Sequence, residues 1–390
     1  MLNRFKRQVL CPYCFEPINL SETPFLCENK NCEKKAKEEN RIATFARARI
    51  PLLERLGITV SPDGLVHSDC GEISHKRLCP KCLEVLPRDI KNLTNFSIAI
   101  IGPKGAGKSH YIAMLIKKIE TMAMDYNWSL IPVDDATINN YEIRYKQPLF
   151  KYKKPIRSTA SEDDLTERRL SYTLHANNGK KVLIVFNDIA GEDFASTKVL
   201  NSKYKNYICN ASGIICIMDP LQLRLVRDNI MTNHNENELP IPASVHAKDV
   251  ISRIYNIIKE GSDKNISGKL HVPLAVAFSK MDFIKDAGET ASTVWERLYQ
   301  ESRHQKNFSE DEFENINGIL KSWLIDIDEM GIVSQTNAFE SNGFFGFSAI
   351  GCNPQTVNAN DPSLDREPRS CRVEDPFLWI LKCNNIIKSK

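Results

Sequence analysis

The chain has 390 residues, of which 42% are hydrophobic and 26% are charged, and its formal net charge is only +3. A chain of this length can bury a large core, so one large domain with a smaller one, or two comparable domains, are expected. The near balance of charge gives no compositional ground for a polyanionic partner.

No stretch approaches the roughly 20 apolar residues that cross a bilayer, and the first residues lack the apolar segment of a secretory signal. We therefore expect a cytoplasmic protein without a membrane segment. Seven of the twelve cysteines lie before residue 83. In a long chain without a signal segment, such clustering indicates metal ligation rather than disulfides.

The cysteine-rich start of the chain contains two sets of four candidate ligands whose spacings suit tetrahedral Zn²⁺. With all four positions filled by protein, each zinc would be structural rather than catalytic. Paired in chain order, the first set is Cys11, Cys14, Cys27 and Cys32, and the second set is His67, Cys70, Cys79 and Cys82.

Two alternatives stay open for these ligands. His75 lies close to His67 in the chain, and the pairs could interleave, first with third, as in cross-braced fingers. We expect residues 1–92 to form a twin zinc-ribbon module that holds two Zn²⁺ ions, with a basic helical connector over residues 33–56. Such ribbons bind proteins or nucleic acids, or only stabilise a fold.

From Phe96 onward, short apolar runs alternate with amphipathic segments. The runs are mostly continuous, as expected of strands covered on both faces, and the intervals can hold crossover helices. Residues 93–390 are therefore expected to form a doubly wound α/β domain with a mostly parallel sheet and helical insertions. The runs are FSIAIIG (96–102), LSYTLHA (170–176), KVLIVFND (181–188), GIICIMD (213–219), VPLAVAFS (272–279) and FFGFSA (344–349).

The second and third runs are separated only by NNGK. An Asn-Gly pair between two strand-like runs is a strong hairpin signal, so these two strands are predicted to be antiparallel neighbours. No internal repeat is apparent in the chain. Helices are predicted over residues 110–122, 247–260 and 309–327, the last with Ser309 and Glu312 at capping-box spacing.

A glycine-rich turn follows the first run, and its spacing, glycine, four residues, then Gly-Lys-Ser, is that of a P-loop. Glycines let backbone N–H groups converge on phosphate oxygens, and the helix that follows adds its positive N-terminal dipole. Lys108 can reach the β and γ phosphates during catalysis, and Ser109 can bind Mg²⁺. The expected nucleotide-binding loop comprises Gly102, Pro103, Lys104, Gly105, Ala106, Gly107, Lys108, Ser109 and His110.

The third run ends in FNDIAGED. Asp188 at the tip of this strand can hold Mg²⁺ through water, and Gly191 offers a backbone N–H where a γ phosphate would lie. An aspartate that closes a strand means little alone. Its place after the P-loop and the hairpin is what makes it informative.

Two later elements bear on the choice of base. SKMD (279–282) follows the fifth run, and FGFSAIG (345–351) includes the last. In order and in placement at successive strand ends, they resemble the guanine-specificity elements of the TRAFAC GTPases. The resemblance implies that Asp282 accepts hydrogen bonds from guanine and Lys280 packs along the base. It also implies that a backbone N–H at Ser348 and Ala349 meets guanine O6.

More narrowly, the chain resembles the bacterial zinc-ribbon-bearing double-GTPase proteins, a group associated with conflict and antiviral systems. The resemblance implies guanine nucleotide (GTP or GDP) and Mg²⁺ as cofactors. It also implies a molecular switch in bacterial defence or stress signalling, with a protein partner or a second protomer. It runs through GPKGAGKSHYIAML, NDIAGEDF, FSKMD, FSAIG and VEDPFLWIL, across nearly all of residues 96–382.

Two residues of the turnover machinery follow from the same resemblance. Glu192 stands where small GTPases carry the glutamine that positions the attacking water. A carboxylate facing a γ phosphate is repelled unless a proton or cation intervenes, so slow hydrolysis without a partner is expected. Glu192 is alternatively an acidic residue in the first turn of a helix. Thr159 is the Mg²⁺-binding threonine of switch I by the subgroup resemblance, whereas a gap-free count back from Asp188 gives Thr166.

Residues 144–157, RYKQPLFKYKKPIR, are basic with interleaved aromatics. They could contact the phosphates of nucleic acid or an acidic protein surface, or form a solvated loop beside the nucleotide. The leading hypothesis is a GTPase switch whose zinc ribbons recruit a partner. The alternatives are a zinc-ribbon protein- or nucleic-acid-binding module whose GTP site turns over little, and an ATPase, which Asp282 disfavours.

Overall fold

The chain divides into two compact units, Met1–Asn95 and Phe96–Lys390. Among the residues that the structure describes, no helix is both long enough and apolar enough to cross a membrane. The structure is a computed structural model, and it describes residues 8–20, 23–26, 65–66, 73–88, 90, 92–157, 169–187, 202–232, 247–261, 268–300, 302, 304, 306–352, 355–356 and 362–389.

The described part of the first unit consists of short antiparallel pairings. Strand β1 (Gln8–Leu10) pairs with β2 (Pro17–Asn19), and β3 (Leu65–Val66) pairs with β4 (Ile73–Ser74). A small core there combines aliphatic side chains with buried cysteines. In small domains, a bound metal commonly adds to the stability of a core of this kind.

The described residues of the second unit form a seven-stranded sheet in the order β11-β10-β9-β5-β8-β7-β6. Strands β11, β10, β9 and β5 run parallel to their neighbours in that series, whereas β7 is antiparallel to both β8 and β6. The fold is thus α/β with a mostly parallel sheet, as predicted. The strands are β5 (Thr94–Ile101), β6 (Ser129–Pro132), β7 (Leu170–His175), β8 (Lys181–Phe186), β9 (Gly213–Met218), β10 (Leu274–Phe278) and β11 (Asn342–Gly346).

Helices cover the sheet, and every residue of β9 and β10 is buried. This two-sided burial explains why these runs read as continuously apolar. The helices are α1 (Lys108–Tyr126), α2 (Asp135–Asn140), α3 (Ser202–Cys209), α4 (Arg224–Met231), α5 (Ala247–Gly261), α6 (Glu289–Leu298), α7 (Glu310–Asp326), α8 (Met330–Thr336) and α9 (Asp375–Cys383). Short 3₁₀ turns cover Pro220–Gln222 and Met281–Asp286, and a small ribbon pairs β12 (Gln355–Thr356) with β13 (Pro362–Ser363).

The predicted hairpin is confirmed. Strands β7 and β8 pair over their full lengths, and the Ala176 N–H donates to the Lys180 carbonyl at 2.9 Å across the turn. Gly179 has a φ of 78° there, which explains why the turn carries a glycine. The predicted helix cap is also confirmed, since Ser309 Oγ accepts from the Glu312 N–H at 3.4 Å.

The structure adds an insertion that the sequence did not predict. Strand β6 lies at the edge of the sheet and pairs antiparallel with β7. It has only four residues and ends in a proline, so it lacks the periodicity that marks a longer strand. Helix α2 and an eleven-residue π-helix, Tyr141–Lys151, follow it before the chain reaches β7.

This topology determines where the site lies. Parallel strands present their carboxyl ends at one edge of the sheet, and ligands of open α/β sheets bind at that edge. The glycine-rich turn follows β5, Asp219 follows β9, SKMD follows β10 and FGFSAIG includes the end of β11. The motifs predicted from separate parts of the chain are therefore neighbours.

Candidate functional site

The glycine-rich loop is held in place by close backbone packing. A Cβ placed on Gly102 would lie 2.3 Å from the Ile217 carbonyl oxygen of β9, so only glycine fits there. Gly105 and Gly107 have φ values of 80° and 88°, in the left-handed region that favours glycine. Gly107 is also the N-cap of α1. The loop thus leads directly into a helix N-terminus, the arrangement that binds phosphate.

Lys108 is buried at the start of α1, and its ammonium group folds back onto the loop. Its Nζ donates to the Gly102 carbonyl at 2.9 Å and to the Pro103 carbonyl at 3.0 Å. These contacts keep the positive charge at the mouth of the loop, next to the positive end of the α1 dipole. A phosphate would therefore meet two sources of positive potential at one point.

The SKMD motif lies directly against this loop. Ser279 is buried, and both its backbone N–H and its hydroxyl donate to the Met218 carbonyl, at 2.8 and 3.2 Å. A Cβ on Gly107 would lie 3.9 Å from Ser279 Cβ and Oγ. The serine at the first position of the motif thus anchors the base element to β9 and beside the phosphate element.

Lys280 adopts a left-handed conformation with a φ of 52° and forms an ion pair through its side chain. Its Nζ lies 2.5 Å from Asp219 Oδ2, and the side-chain exposures are 24% for Lys280 and 4% for Asp219. The other carboxylate oxygen, Asp219 Oδ1, accepts from the Leu221 N–H at 3.0 Å. The pair fixes the ammonium at the carboxyl edge of the sheet.

Sequence reasoning missed Asp219 as a site residue. It closes the run GIICIMD, and an acidic residue at that strand end is the signal that could have found it. Its pairing with Lys280, 61 residues away, follows from the parallel register of β9 and β10.

The FGFSAIG motif is the third that lies at this edge of the sheet, beside the glycine-rich loop and SKMD. The Met281 N–H donates to the Phe347 carbonyl at 3.2 Å, so SKMD and FGFSAIG are in direct backbone contact. Ser348 is buried, and its hydroxyl accepts from the Gly351 N–H at 3.0 Å, which closes a tight turn over Ala349. Asp282 is half-buried in the 3₁₀ turn beside it. Burial raises the pKa of the nearby Cys352 thiol, and the negative charges of Asp365 and Asp282 raise it further.

His110 connects the phosphate loop to the segment that precedes the predicted switch I. Its Nε2 accepts from the Ile156 N–H at 3.1 Å. Burial, with a smaller contribution from the positive charge of Lys280, lowers the pKa of His110 from 6.5 to about 4. The imidazole is therefore neutral at pH 7, which the accepted hydrogen bond requires.

Part of the predicted machinery cannot be placed. Asn187, the last described residue after β8, is buried. The predicted Mg²⁺ and switch residues lie in two segments outside the described residues, one before β7 and one after Asn187. They stay predictions: Thr159, Thr166, Asp188, Gly191 and Glu192.

The first unit contains a candidate metal centre of four cysteines. The sulfur atoms of Cys11, Cys14, Cys79 and Cys82 all lie within 4.8 Å of one another. The Cys11–Cys82 and Cys14–Cys79 sulfur distances are 3.8 and 3.7 Å. A tetrahedral site with Zn–S bonds of about 2.3 Å requires sulfur separations of about 3.8 Å, so these residues fit zinc.

The two halves of this centre are the same structural element used twice. CPYCFE (11–16) and CPKCLE (79–84) share the pattern Cys-Pro-x-Cys, a large apolar residue and Glu. The Phe15 N–H donates to the Cys11 carbonyl at 3.0 Å, and the Leu83 N–H donates to the Cys79 carbonyl at 2.9 Å. Phe15 and Leu83 both have positive φ, 59° and 62°. The similarity of these two hexapeptides is the sequence signal that links the first cysteine pair to the fourth.

The predicted pairing of ligands in chain order was therefore wrong. The first cysteine pair joins the fourth pair, because the two hexapeptide turns face each other around one point. Interleaving of the first pair with the third is equally excluded by this cluster. His75 Nδ1 is buried and has no hydrogen-bond partner among the described residues. The remaining candidates lie outside the described residues, so the second Zn²⁺ stays a prediction: Cys27, Cys32, His67 and Cys70.

The chain resembles several known proteins. SaeC of Mycolicibacterium smegmatis, named as an ESX-1 scaffolding and assembly protein, is 25% identical over 221 residues. The match covers 56% of this chain and 54% of that protein, so the chain spans about half the length of its curated relative.

Two solved structures are also similar. The Arl6 (BBS3) small GTPase from Trypanosoma brucei with bound GppNp is 10% identical, and the match covers 76% of this chain and 100% of that chain with a TM-score of 0.31. The GTP-bound Ski7 GTPase-like domain of S. cerevisiae is 14% identical, and the match covers 66% of this chain and 43% of that chain with a TM-score of 0.30.

The profile of the Double-GTPase 2 family matches residues 97–314, more than half of the chain. The matched stretch contains both the P-loop and SKMD, and membership of a GTPase family supports guanine-nucleotide binding at that site. The resemblance to double-GTPase proteins is thus confirmed: the chain belongs to the Double-GTPase 2 family.

Proposed function

We propose that the protein is a Mg²⁺-dependent molecular switch of the TRAFAC class that binds and hydrolyses GTP. The observation that carries this proposal is the convergence of three separate motifs at one sheet edge. The phosphate loop abuts SKMD at Gly107 and Ser279, and SKMD bonds to FGFSAIG through Met281 and Phe347. A chance P-loop would have no reason to meet both base elements.

The phosphate end of the site relies on residues that are already oriented. On nucleotide binding, Lys108 Nζ exchanges the Gly102 and Pro103 carbonyls for β and γ phosphate oxygens. Ser109, together with Thr159 and Asp188, would hold Mg²⁺, which offsets charge on the β and γ phosphates. Because Lys108 is buried and already bonded, little side-chain freedom is lost when phosphate arrives.

The base end of the site provides selectivity. Asp282 offers two acceptors to the guanine N1–H and exocyclic amine, while Lys280 lies along the base plane. Adenine cannot donate in that pattern, so it would leave a partly buried carboxylate without donors. The turn at Ser348 and Ala349, closed by the Gly351 N–H, presents its backbone to guanine O6.

Hydrolysis is slow without help because Glu192 brings a negative charge towards the γ phosphate. A protein partner or a second protomer would complete the catalytic site, and the zinc ribbons of residues 1–92 would recruit that partner to the GTPase domain of residues 93–390. The setting is bacterial defence or stress signalling, as the double-GTPase resemblance implies. The scaffolding and assembly named for SaeC fits a switch that holds a partner.

The second candidate is a zinc-ribbon protein- or nucleic-acid-binding module whose site binds GTP and barely turns over. Glu192 in place of glutamine is the feature that favours it. Both candidates require guanine-nucleotide binding, so turnover separates them.

Phosphate release from GTP should be measured with and without Mg²⁺ for the full chain and for Lys108→Ala. Turnover should require Mg²⁺ and fall by about 100-fold in Lys108→Ala, because one preorganised donor to the transition state is lost. Lys259→Ala, which removes an exposed lysine on α5, should turn over like wild type. Tight GTP binding without measurable turnover would favour the second candidate. Equal turnover in Lys108→Ala and wild type would contradict the proposed mechanism.

A further inference from the structure

The segment 141–157 separates its side chains by chemistry. It contains six basic residues and one acidic residue. Tyr145 and Leu149 on the π-helix are fully buried, at 1% and 0% exposure. Four lysines and Arg157 of the same stretch are exposed, and one of these lysines, Lys146, pairs with Glu142 at 3.0 Å. We define the basic surface by its exposed residues Lys146, Lys151, Tyr152, Lys153, Lys154 and Arg157.

The basic surface is attached to the P-loop helix α1. Tyr141 Oη donates to the Ala113 carbonyl at 3.2 Å, and Lys117 Nζ lies 3.8 Å from the centre of the Phe150 ring. Further along, the Ile156 N–H donates to His110 Nε2. Three contacts with one rigid helix hold the segment in a defined shape.

Two backbone contacts shape the turn that carries most of the charge. The Lys154 N–H donates to the Pro148 carbonyl at 2.8 Å, and the Lys153 carbonyl accepts from the Leu364 N–H at 2.7 Å. Lys153 itself has a φ of 49°. The chain therefore bends sharply directly after Tyr152, with exposed cationic residues on either side of the bend.

An aromatic ring stands among these cations. Tyr152 is 53% exposed, and Lys151 Nζ lies 5.4 Å from its ring centre. Cations beside an exposed ring are what single-stranded nucleic acid requires, since phosphates pair with the cations while an unstacked base stacks on the ring. An acidic protein surface would need only the cations to bind here. The bases of a duplex are already stacked on one another, so none is free to stack on the ring.

We propose that the basic surface binds single-stranded nucleic acid. Lys151, Lys153, Lys154 and Arg157 contact successive phosphates, and one base stacks on Tyr152. Phosphate contacts make the affinity depend on salt and hardly on sequence. This activity is independent of GTP binding at the carboxyl edge of the sheet, so either function can fail without the other.

The test uses fluorescence anisotropy of the full chain with a labelled oligouridylate and a labelled oligothymidylate of about 20 nucleotides, longer than one binding site. The triple variant Lys151→Glu, Lys153→Glu, Arg157→Glu should bind at least about tenfold more weakly. Its slope of log affinity against log salt should be shallower by about 2, because about 0.7 is lost for each phosphate contact on a single strand. Tyr152→Ala should weaken binding about tenfold through lost stacking.

The matched control is Lys248→Glu, Lys259→Glu, Lys269→Glu, which makes the same change in net charge at exposed lysines on and after α5. It should bind like wild type, and thermal unfolding should be the same for all variants. Absence of binding by wild type would overturn the proposal, as would equal losses in the two triple variants. Equal affinity for polyglutamate, with no effect of Tyr152→Ala, would also overturn it and assign the surface to an acidic protein.

Discussion

At the residue scale, the ion pair between Asp219 and Lys280 links two strand ends at the candidate site. Asp219 is the buried partner, so its charge depends on the ammonium and on the Leu221 N–H. Removing one partner of a buried pair leaves the other charge uncompensated, which costs more than the pair itself contributes. The position of Lys280 beside the base site should therefore depend on Asp219.

We predict that Asp219→Asn weakens GDP binding about tenfold, or about 1.4 kcal/mol, because Lys280 loses its fixed position. Titration calorimetry of the single variants and of Asp219→Asn combined with Lys280→Ala gives a double-mutant cycle. If Asp219 acts through Lys280, its substitution costs little more once Lys280 is alanine. Asp228→Asn, which removes an exposed partner of Arg224, is the matched control. Full additivity of the two losses would contradict a positioning role.

His110 gives a prediction about pH. Its pKa in the folded chain is about 4, below the value of 6.5 expected when unfolded. Between pH 4 and pH 6.5 the unfolded chain binds this proton more readily than the folded chain does. The contribution of neutral His110 to the free energy of unfolding is therefore full above pH 6.5, and it is lost as the pH falls towards 4. Urea unfolding of His110→Gln at several pH values should show a smaller decline in the free energy of unfolding over this window than wild type. An unchanged decline in His110→Gln would refute the prediction.

The residues of the P-loop could be predicted because their chemistry is contiguous: a strand, two glycines in the left-handed region and a helix start occupy one stretch of sequence. Two contacts of the site could not be predicted, that of Asp219 with Lys280 and that of Ile156 with His110. They depend on strand register and on an insertion whose shape no local pattern encodes.

At the element scale, the phosphate loop depends on how closely β5 approaches β9. Gly102 lies at this contact, where a Cβ would meet the Ile217 carbonyl oxygen, and the backbone of a central strand cannot move aside cheaply. Gly318 in α7 is the opposite case, because a Cβ there would meet nothing within 4 Å.

The two glycines therefore predict opposite outcomes of the same substitution. Gly102→Ala should lower the free energy of unfolding and abolish GDP binding, because strand and loop must separate. Gly318→Ala should raise the free energy of unfolding by about 0.5–1 kcal/mol, since alanine favours the helix and restricts the unfolded chain. Urea unfolding with GDP titration measures both. Tolerance of Gly102→Ala would show that the loop is not held as described.

The elements themselves were predictable where periodicity runs long. Each of the six apolar runs overlaps a strand, α1 and α5 include the helices predicted there, and α7 lies within the predicted 309–327. The capping-box spacing predicted the start of α7, but not that the Glu312 carboxylate pairs with Arg372 at 2.8 Å, near the start of α9. Strand β6 was not predicted because its four residues are too few to show the apolar pattern of a strand.

At the scale of the whole molecule, the described cores of the two units differ in kind. The described core of the second unit is extensive, whereas that of the first is small and built partly from cysteines. We predict that metal bound by the four cysteines contributes to the folding free energy of the first unit. The sequence indicated zinc from the clustering of cysteines, but the ligand pairing depended on two hexapeptide turns, 68 residues apart in the numbering, that face each other.

Removal of one cysteine of the centre tests this assignment. Cys11→Ser should lower the zinc content of the purified full chain, measured by mass spectrometry of the metal, by one ion per chain. Cys383→Ser, which alters a cysteine outside the cluster, should leave the zinc content unchanged. Equal zinc in Cys11→Ser and wild type would refute the four-cysteine centre.

The proposed selective recognition of guanine depends on all three motifs of the larger unit, and titration calorimetry tests it most directly. The full chain and Asp282→Ala should be titrated with GDP, a non-hydrolysable GTP analogue, ADP and a non-hydrolysable ATP analogue, all with Mg²⁺. We expect wild type to bind the guanine nucleotides at least about 100-fold more tightly than the adenine nucleotides, and Asp282→Ala to lose that preference. Equal or tighter binding of adenine nucleotides by wild type, or unchanged guanine selectivity in Asp282→Ala, would contradict a guanine site built from SKMD.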